Sequence, residues 1–260
     1  MTVTAAAATD VGRVREHNED DLAVTDRVWV VADGMGGHAA GEVASRIAAE
    51  TMSELAVPDQ VSAQDVIDQI ALAHRRIETA MRQHPSRRGM GTTVTGLARV
   101  DEEGEGEWRW LVFNVGDSRV YRIVEGQLAQ VTRDHSEVRE LIDAGVITPE
   151  EARRHPLRNV ITRSLGGGAN PVPDQWLLDP QASERFVICS DGLTGEVPDE
   201  ELRAILEAHP NAQDAADALV RAAVEAGGRD NVTVVVVDHG SHDGTHDVND
   251  TQPRSRLATR

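Results

Sequence analysis

The sequence has few aromatic residues, since Phe, Trp and Tyr make up 3% of its 260 positions. A chain of this length can form one large domain with a full core, so aliphatic side chains must fill that core. It has no run approaching the roughly 20 consecutive apolar residues of a membrane span. Its N-terminus also lacks the basic start and apolar centre of a signal peptide. We therefore expect a soluble, cytoplasmic protein without a membrane partner.

Positive charge is also scarce, because the sequence has 26 basic and 44 acidic residues and a formal net charge of -18. Proteins that bind nucleic acids or membrane surfaces in general show clustered Lys and Arg, so nucleic acid is not expected as a partner. Clustered carboxylates favour bound cations instead.

A single cysteine, Cys189, excludes an internal disulfide. A cysteine-dependent phosphatase would place an Arg six positions after its nucleophile, whereas position 195 is Gly. The apolar segment RFVI before Cys189 predicts a small buried hydrophobe at the end of a strand.

One stretch, residues 29–38 (WVVADGMGGH), predicts a buried strand that stops at Asp33-Gly34 before a helix. Asp191-Gly192 follows a similar apolar run, and Asp230 precedes the run VTVVVV. A lone Asp-Gly is usually a plain turn, but three acids beside three strands favour a shared site. Hard oxygen ligands suit Mg²⁺ or Mn²⁺, and two ions about 3.5 to 4 Å apart can activate a bridging water or hydroxide toward phosphorus.

The spacing of apolar residues predicts two helix pairs and a series of strands that no crossover helix separates, which favours antiparallel pairing. The helices are predicted at residues 39–56, 61–83, 198–208 and 212–226. The strands are predicted at residues 22–25, 28–32, 91–100, 108–115, 119–124, 128–131, 186–190 and 232–237. This pattern indicates an α/β (α+β) fold, in which two stacked antiparallel β-sheets are flanked by helix pairs in a four-layer αββα sandwich.

Composition divides the chain into a domain at residues 1–238 and a polar tail at 239–260, which is expected to be disordered. Within the domain, the segment after Asp134 is polar and bounded by glycines, which predicts an excursion from the core near the site. Monomer is the default expectation, because no coiled coil is evident.

Several motifs occur in a fixed order along the domain, and together they resemble the metal-dependent protein serine/threonine phosphatases, the type 2C or PPM family, in its bacterial branch. They are RVREHNED, VVADGMGGHAAGEVAS, GMGTTV, NVGDSRVY, TRDHS, HPLRNVITRSLG, ICSDGLT and GRDNVTVVVV. The resemblance implies a protein phosphatase that opposes bacterial Ser/Thr kinases and acts on phosphorylated proteins. It also implies a flap at about residues 139–168, anchored by HPLRNVITRSLG.

For the metal site, the resemblance implies that Asp33 bridges two ions, either Mn²⁺ or Mg²⁺, with the Gly34 carbonyl on one of them. Asp191 and Asp230 would hold the other ion. Bacterial members add a third, weaker ion, and here Asp134 matches the acid that helps Asp191 to hold it. From local sequence alone, Asp134 could equally cap the following helix.

Four further residues have roles implied by the same resemblance. Glu19 and Asp20 would act mainly through metal-bound waters, and Arg15 would bind phosphoryl oxygens with its guanidinium fork. The alternative for Arg15 is a surface ion pair. Asp117, in VGDSR, is assigned to a turn and hydrogen bonds rather than to the metals.

The leaving alkoxide needs a proton, and a histidine can supply it. Eukaryotic members have His directly after the Asp-Gly, whereas this sequence has Met35 there and its nearest histidine is His38. Two interpretations stay open: His38 as the catalytic acid, or metal-bound water as the donor.

Two alternative functions are also open. A sigma-factor regulatory phosphatase would usually carry sensor domains and lack the RNVITRSLG segment. A catalytically silent relative that binds phosphoproteins would tend to have lost metal acids, whereas Asp33, Asp191 and Asp230 are all present.

Overall fold

Two antiparallel sheets stack face to face in the computed structural model, which describes residues 2–36, 40–101 and 108–240. One sheet has the strand order β1-β11-β10-β7-β8, and the other has the order β2-β3-β5-β6-β9 with β4 paired to β3. The strands are β1 (Thr2–Asp10), β2 (Asp20–Val24), β3 (Val28–Met35), β4 (Gly91–Thr92), β5 (Val94–Asp101), β6 (Trp108–Val115), β7 (Arg119–Val124), β8 (Gln127–Gln130), β9 (Asp174–Leu178), β10 (Ser183–Cys189) and β11 (Val232–Gly240).

Helix pairs cover the two outer faces. The α-helices of the described residues are α1 (Ala40–Ser53), α2 (Ala63–Gln83), α3 (Glu137–Asp143), α4 (Pro149–Ala152), α5 (Asp191–Thr194), α6 (Asp199–Ala208) and α7 (Ala212–Ala226). An aliphatic core lies between the α1–α2 pair and the sheet that contains β3. A second core lies between the α6–α7 pair and the sheet that contains β11. The predicted four-layer αββα sandwich is therefore confirmed.

The scarce aromatic residues concentrate in the layer between the sheets, where all four Trp and one of the two Phe lie. Trp110 is central to this layer. Its ring lies edge-on to those of Trp29 and Phe186, at centroid distances of 5.7 and 5.5 Å. Edge-to-face rings add stabilisation beyond the area that they bury, so a few aromatic residues are enough to join the sheets.

Capping residues fix where the helices begin. Ser62 caps α2 in a reciprocal capping box with Asp65, so the helix begins at Ala63 and not at the predicted position 61. Pro198 is the N-cap of α6. The predicted start of the first helix, Ala39, lies outside the described residues, and the helix gives way to a 3₁₀ turn after Ser53.

The strand predictions need four corrections. β3 does not stop at Asp33 but continues to Met35, because Gly34 and Met35 pair with β4. The predicted series of neighbouring strands is divided, since β5 and β6 belong to one sheet while β7 and β8 belong to the other. β1 was not predicted as a strand, and neither was β9. β9 is a five-residue edge strand between Pro173 and Pro180, so its sequence resembles a loop.

The end of the domain also differs from the prediction. β11 continues through His239 and Gly240, both buried, so the boundary placed after Asp238 is two residues too early. Residues 241–260, and with them the predicted disordered tail, lie outside the described residues. In the part of the chain that the structure describes, no helix combines the length and apolar character needed to cross a membrane.

Cys189 ends β10 and is fully buried, as predicted. Burial raises the pKa of its thiol to about 12. A thiol with this pKa is protonated at neutral pH and is not a nucleophile.

Candidate metal centre

Strand pairing brings together the first two predicted acids. Asp20 begins β2 and lies directly opposite Asp33 of β3 in the antiparallel register. Ser190, at the end of β10, donates a hydrogen bond from Oγ to Oδ2 of Asp20 at 2.8 Å. This contact crosses from one sheet to the other, so the end of β10 and its following residue, Asp191, lie beside Asp20 and Asp33.

The carboxyl groups of Asp33 and Asp191 are close enough that the Asp33 side chain lowers the pKa of Asp191. Burial raises the pKa of Asp33 well above its usual range, and the charges of Asp20, Asp191, Asp117 and Asp230 raise it further. The structure therefore brings Asp33, Asp191 and Asp230 close enough to repel one another, as the sequence predicted.

Two acids of this cluster have pKa values near neutrality. Burial raises the pKa of Asp20 to about 7, and the charges of Asp191 and Asp230 also raise it. Hydrogen bonds from neighbouring hydroxyls lower this pKa and so oppose part of the shift. Burial and the charge of Asp230 raise the pKa of Asp191 to about 6. Each of these side chains keeps some solvent exposure but is otherwise enclosed by protein.

This donor set fits a divalent cation, because it consists of hard oxygen ligands whose mutual repulsion a cation would relieve. Among the described residues, no three His, Cys, Asp or Glu side chains are already arranged around one ion position. Mg²⁺ and similar ions need no such arrangement, since they bind through one or two carboxylates and retain several waters. The electrostatic convergence of the acids therefore supports a metal site.

Arg15 lies at the edge of the cluster. Its Nη2 donates to Oδ2 of Asp230 at 2.7 Å, and its side chain is 50% exposed. The hydrogen bond to Asp230, together with the charges of Asp230, Glu19 and Asp33, raises the pKa of the Arg15 guanidinium. The side chain thus has both the charge and the solvent access to bind a phosphoryl group. Its observed partner is an acid of the cluster.

Asn231 positions the segment that carries Arg15 and Asp20, a role that the sequence analysis missed. Its Nδ2 donates to the carbonyls of Val11 and His17, and its Oδ1 accepts from the backbone N–H of Glu19 at 2.8 Å. The motif GRDN contains this asparagine, but the sequence analysis assigned a role only to its aspartate, Asp230.

The backbone around Asp33 is fixed on both sides. Its N–H donates to Oγ1 of Thr93, and its carbonyl accepts from the Thr93 N–H, both at 2.9 Å. A Cβ on Gly34 would lie 2.4 Å from the carbonyl oxygens of Glu19 and Gly41, so only glycine fits there. This close approach brings the N-terminus of α1 against the acidic strand end. The Gly34 carbonyl stays a predicted ligand.

Asp134 and Asp117, one predicted to bind metal and the other not, differ in their hydrogen-bond partners. Arg119 holds Asp134 with Nε and Nη2, at 3.0 and 2.6 Å, and Gln130 donates to the same carboxylate. Asp117 is 7% exposed, and its Oδ1 has no hydrogen-bond partner among the described residues. Burial raises the pKa of Asp117 well above its usual range, with further contributions from Asp191 and Asp134. The geometry therefore favours Asp117 over Asp134 as a ligand.

His38, the predicted catalytic acid, lies outside the described residues. The carboxylate of Glu19 lies at the start of α1, where a Cβ on Gly41 would be 2.9 Å from its Oε1.

A cavity of about 370 Å³ lies between the segment that contains α3 and α4 and the acid cluster. Asp117, Asp134 and Asp191 line its side toward the cluster. Arg153 and Arg158 also line the cavity. The cavity thus contains arginine side chains as well as acids of the candidate metal centre.

The chain matches the model of a known family, protein phosphatase 2C, over residues 12–242. It belongs to the protein phosphatase 2C family. The predicted family is confirmed, and its match includes the strands and loops that carry the acid cluster.

Relatives of this phosphatase family include two with established names. The serine/threonine protein phosphatase PstP of Mycobacterium tuberculosis is 38% identical over 92% of this chain, which spans 45% of PstP. The serine/threonine phosphatase stp of Listeria monocytogenes is 34% identical over 88% of this chain and 93% of its own length.

Solved structures of PstP are similar to this phosphatase-family chain. One crystal structure has a TM-score of 0.86 at 36% identity and covers 93% of this chain and all of the other. A structure of the PstP catalytic domain in complex with two manganese ions has a TM-score of 0.83 at 35% identity, covering 92% and 99% of the two chains.

The raised pKa values predict how pH affects the metal-free chain. Asp20 and Asp191 bind protons more tightly in the folded than in the unfolded chain, where carboxyl pKa values are about 4. This contribution to stability is fully present below pH 4 and is lost as pH rises through 6 and 7. The unfolding midpoint in EDTA should therefore fall between pH 5 and 8, and Mn²⁺ should reduce the fall.

Thermal unfolding across this pH range checks the prediction, with Asp20→Asn as the test variant and Asp217→Asn, on the exposed face of α7, as the control. The fall should shrink only in Asp20→Asn. A midpoint in EDTA that rises from pH 5 to 8 would contradict it.

Proposed function

We propose that this chain is a metal-dependent phosphatase that hydrolyses phosphoserine and phosphothreonine in proteins and opposes Ser/Thr protein kinases. The convergence of Asp20, Asp33, Asp191 and Asp230 beside Arg15 is the observation that carries the proposal. The names of the relatives support the substrate class, and the manganese complex of PstP supports the cofactor.

In this proposal the acids hold divalent ions, and Arg15 turns from Asp230 to bind phosphoryl oxygens. When bound, the ions supply positive charge and an activated water for attack on phosphorus. Asp20 and Asp33 stay in fixed register through the β2–β3 pairing, so they need little reorganisation as the ions bind. His38, as a proton donor to the leaving group, stays part of the proposal.

Either Mn²⁺ or Mg²⁺ suits the oxygen ligands, and we propose that a third ion binds between Asp191 and Asp117. The buried, unpartnered Oδ1 of Asp117 supports this assignment. Asp134 would act through its ion pair with Arg119 instead.

Phosphate release from phosphoserine and phosphothreonine peptides, with Mn²⁺ and with EDTA, tests the proposed function. EDTA should abolish release, because the acids alone offer no activated water. Asp33→Asn should lower kcat/KM by about 100-fold or more, since weaker changes around metal ligands already cost 10- to 100-fold. Asp217→Asn is the control and should keep wild-type activity.

Full phosphate release in EDTA, or wild-type turnover by Asp33→Asn, would contradict the proposal. Tight capture of phosphopeptides without phosphate release would instead favour a silent, binding-only relative.

A matched pair of variants tests the third-ion assignment. Asp117→Asn should remove the weakest Mn²⁺ binding event in a calorimetric titration, because it removes a ligand. Asp134→Asn should keep that event but lower the free energy of unfolding by about 3 kcal/mol, because Arg119 loses its partner. If only Asp134→Asn loses the weak binding event, Asp134 and not Asp117 is the ligand of the third ion, as the sequence analysis expected.

The cavity beside Asp191 provides room for the protein chain around the phosphorylated residue. Arg153 and Arg158 line it, and neither is paired with a carboxylate of the described residues. We propose that these guanidinium groups bind acidic side chains or a second phosphate on the substrate.

Two flap variants test this proposal. The double variant Arg153→Gln/Arg158→Gln should lower kcat/KM for acidic phosphopeptides about 10-fold and leave p-nitrophenyl phosphate hydrolysis unchanged, because the small ester does not reach the flap. The control, Arg154→Gln, changes a neighbouring exposed arginine that does not line the cavity. Equal losses in both variants, or no loss in the double variant, would contradict it.

A further inference from the structure

His135 lies at the junction between the core and the segment that contains α3 and α4. It is 2% exposed, although it belongs to a loop between β8 and α3. Its backbone connects two parts of the chain, since its N–H donates to the carbonyl of Gly116 and its carbonyl accepts from Thr162, both at 2.9 Å. A polar ring in so enclosed a position needs partners for both of its nitrogens.

The ring contacts fix the tautomer of His135. The backbone N–H of Gly116 donates to Nδ1 at 3.0 Å, so Nδ1 carries the lone pair. The proton of the neutral ring is therefore on Nε2, which lies 3.2 Å from Oδ2 of Asp174, within ion-pair distance but outside hydrogen-bond geometry. The imidazole thus accepts a hydrogen bond at Nδ1 and lies beside a carboxylate at Nε2.

On the accepting side, Gly116 is held against the strand that fixes Asp33. Its φ of +118° suits glycine, and a Cβ there would lie 2.5 Å from Cγ2 of Thr93. Thr93 bonds the backbone of Asp33 and also Oγ of Ser118. Gly116 and Ser118 flank Asp117, so the bond to His135 helps to fix the backbone from which that carboxylate projects.

On the donating side, Asp174 connects the ring to the end of the flap. Nη1 of Arg163 donates to Oδ1 of Asp174 at 2.6 Å and to the carbonyl of Val172 at 2.9 Å. Arg163 follows Thr162, whose N–H bonds the carbonyl of His135. Ring and backbone of His135 thus hold the returning flap segment.

We infer that His135 is a positioning residue that couples the flap to the metal centre through this fixed tautomer. One nitrogen holds the Gly116–Asp117 backbone in place for metal binding, and the other holds the flap through Asp174 and Arg163. The metal-binding half of the inference rests on the proposed function, in which Asp117 is a ligand.

Two amide variants separate the halves. In His135→Asn the side-chain oxygen takes the place of Nδ1 and can accept from Gly116, but the shorter side chain does not reach Asp174. In His135→Gln the amide nitrogen takes the place of Nε2 and can donate to Asp174, but no acceptor faces Gly116. Asp174→Asn, which leaves His135 intact, weakens only the flap side and serves as a second flap variant.

Hydrogen exchange of the metal-free chain gives a readout that does not depend on activity. In His135→Gln, amide exchange at Gly116 should speed up by at least 10-fold, while the flap segment, measured over residues 137–163, stays protected. In His135→Asn and Asp174→Asn the flap segment should exchange faster while Gly116 stays protected. Mn²⁺ titration should show the weakest site weakened 10- to 100-fold in His135→Gln and less than about 3-fold in the other two.

The inference is overturned if the two His135 variants speed exchange at Gly116 equally, or if neither does. It is also overturned if Mn²⁺ affinity falls equally in all three variants, which would indicate a purely packing role. Failure of the proposed function would appear separately, as a wild-type chain that releases no phosphate whatever its exchange pattern.

Discussion

Repulsion among carboxylates at one end of the β-sandwich is the constraint on which the rest of the structure depends. Asp20 and Asp33 lie on adjacent strands and Asp191 lies far along the chain, yet the charges of Asp20 and Asp191 raise the pKa of Asp33. Like charges in an enclosed site cost free energy. The backbone framework must therefore hold them together, through strand register, the bonds from Thr93 to the Asp33 backbone and the clamp formed by Asn231.

The opposite end of the sandwich contains a buried acid, Glu184, whose hydrogen bonds are structural. Glu184 is buried and accepts hydrogen bonds from Nε1 of Trp110, Nε of Arg122 and the backbone N–H of Gln181. Its neighbours come from both sheets, so the charge is satisfied and the sheets are joined. Asp134 resembles Glu184, because Arg119 and Gln130 satisfy it. By contrast, Asp117 is buried and its Oδ1 has no hydrogen-bond partner among the described residues, which supports the proposal that it binds a metal ion.

Much of the fold followed from local patterns. Apolar periodicity indicated both helix pairs, and the absence of a crossover helix indicated antiparallel strands; the family inferred from the ordered motifs is confirmed. β9 escaped prediction because an edge strand flanked by prolines forms through its pairing with β6 and not through its own composition. The division of consecutive strands between two sheets escaped it for a related reason, since local sequence does not state which neighbour a strand pairs with.

The sequence by itself determined which acids end or precede strands, because strand runs and their bordering Asp-Gly and Asp-Asn pairs are local features. Only the tertiary structure decided which carboxylates are neutralised by an arginine and which are left without a partner. It also decided that His135 contacts both Gly116 and Asp174, residues 19 and 39 positions away. Such pairings depend on how the sheets and the segment that contains α3 and α4 pack, and short-range sequence patterns carry no information about them.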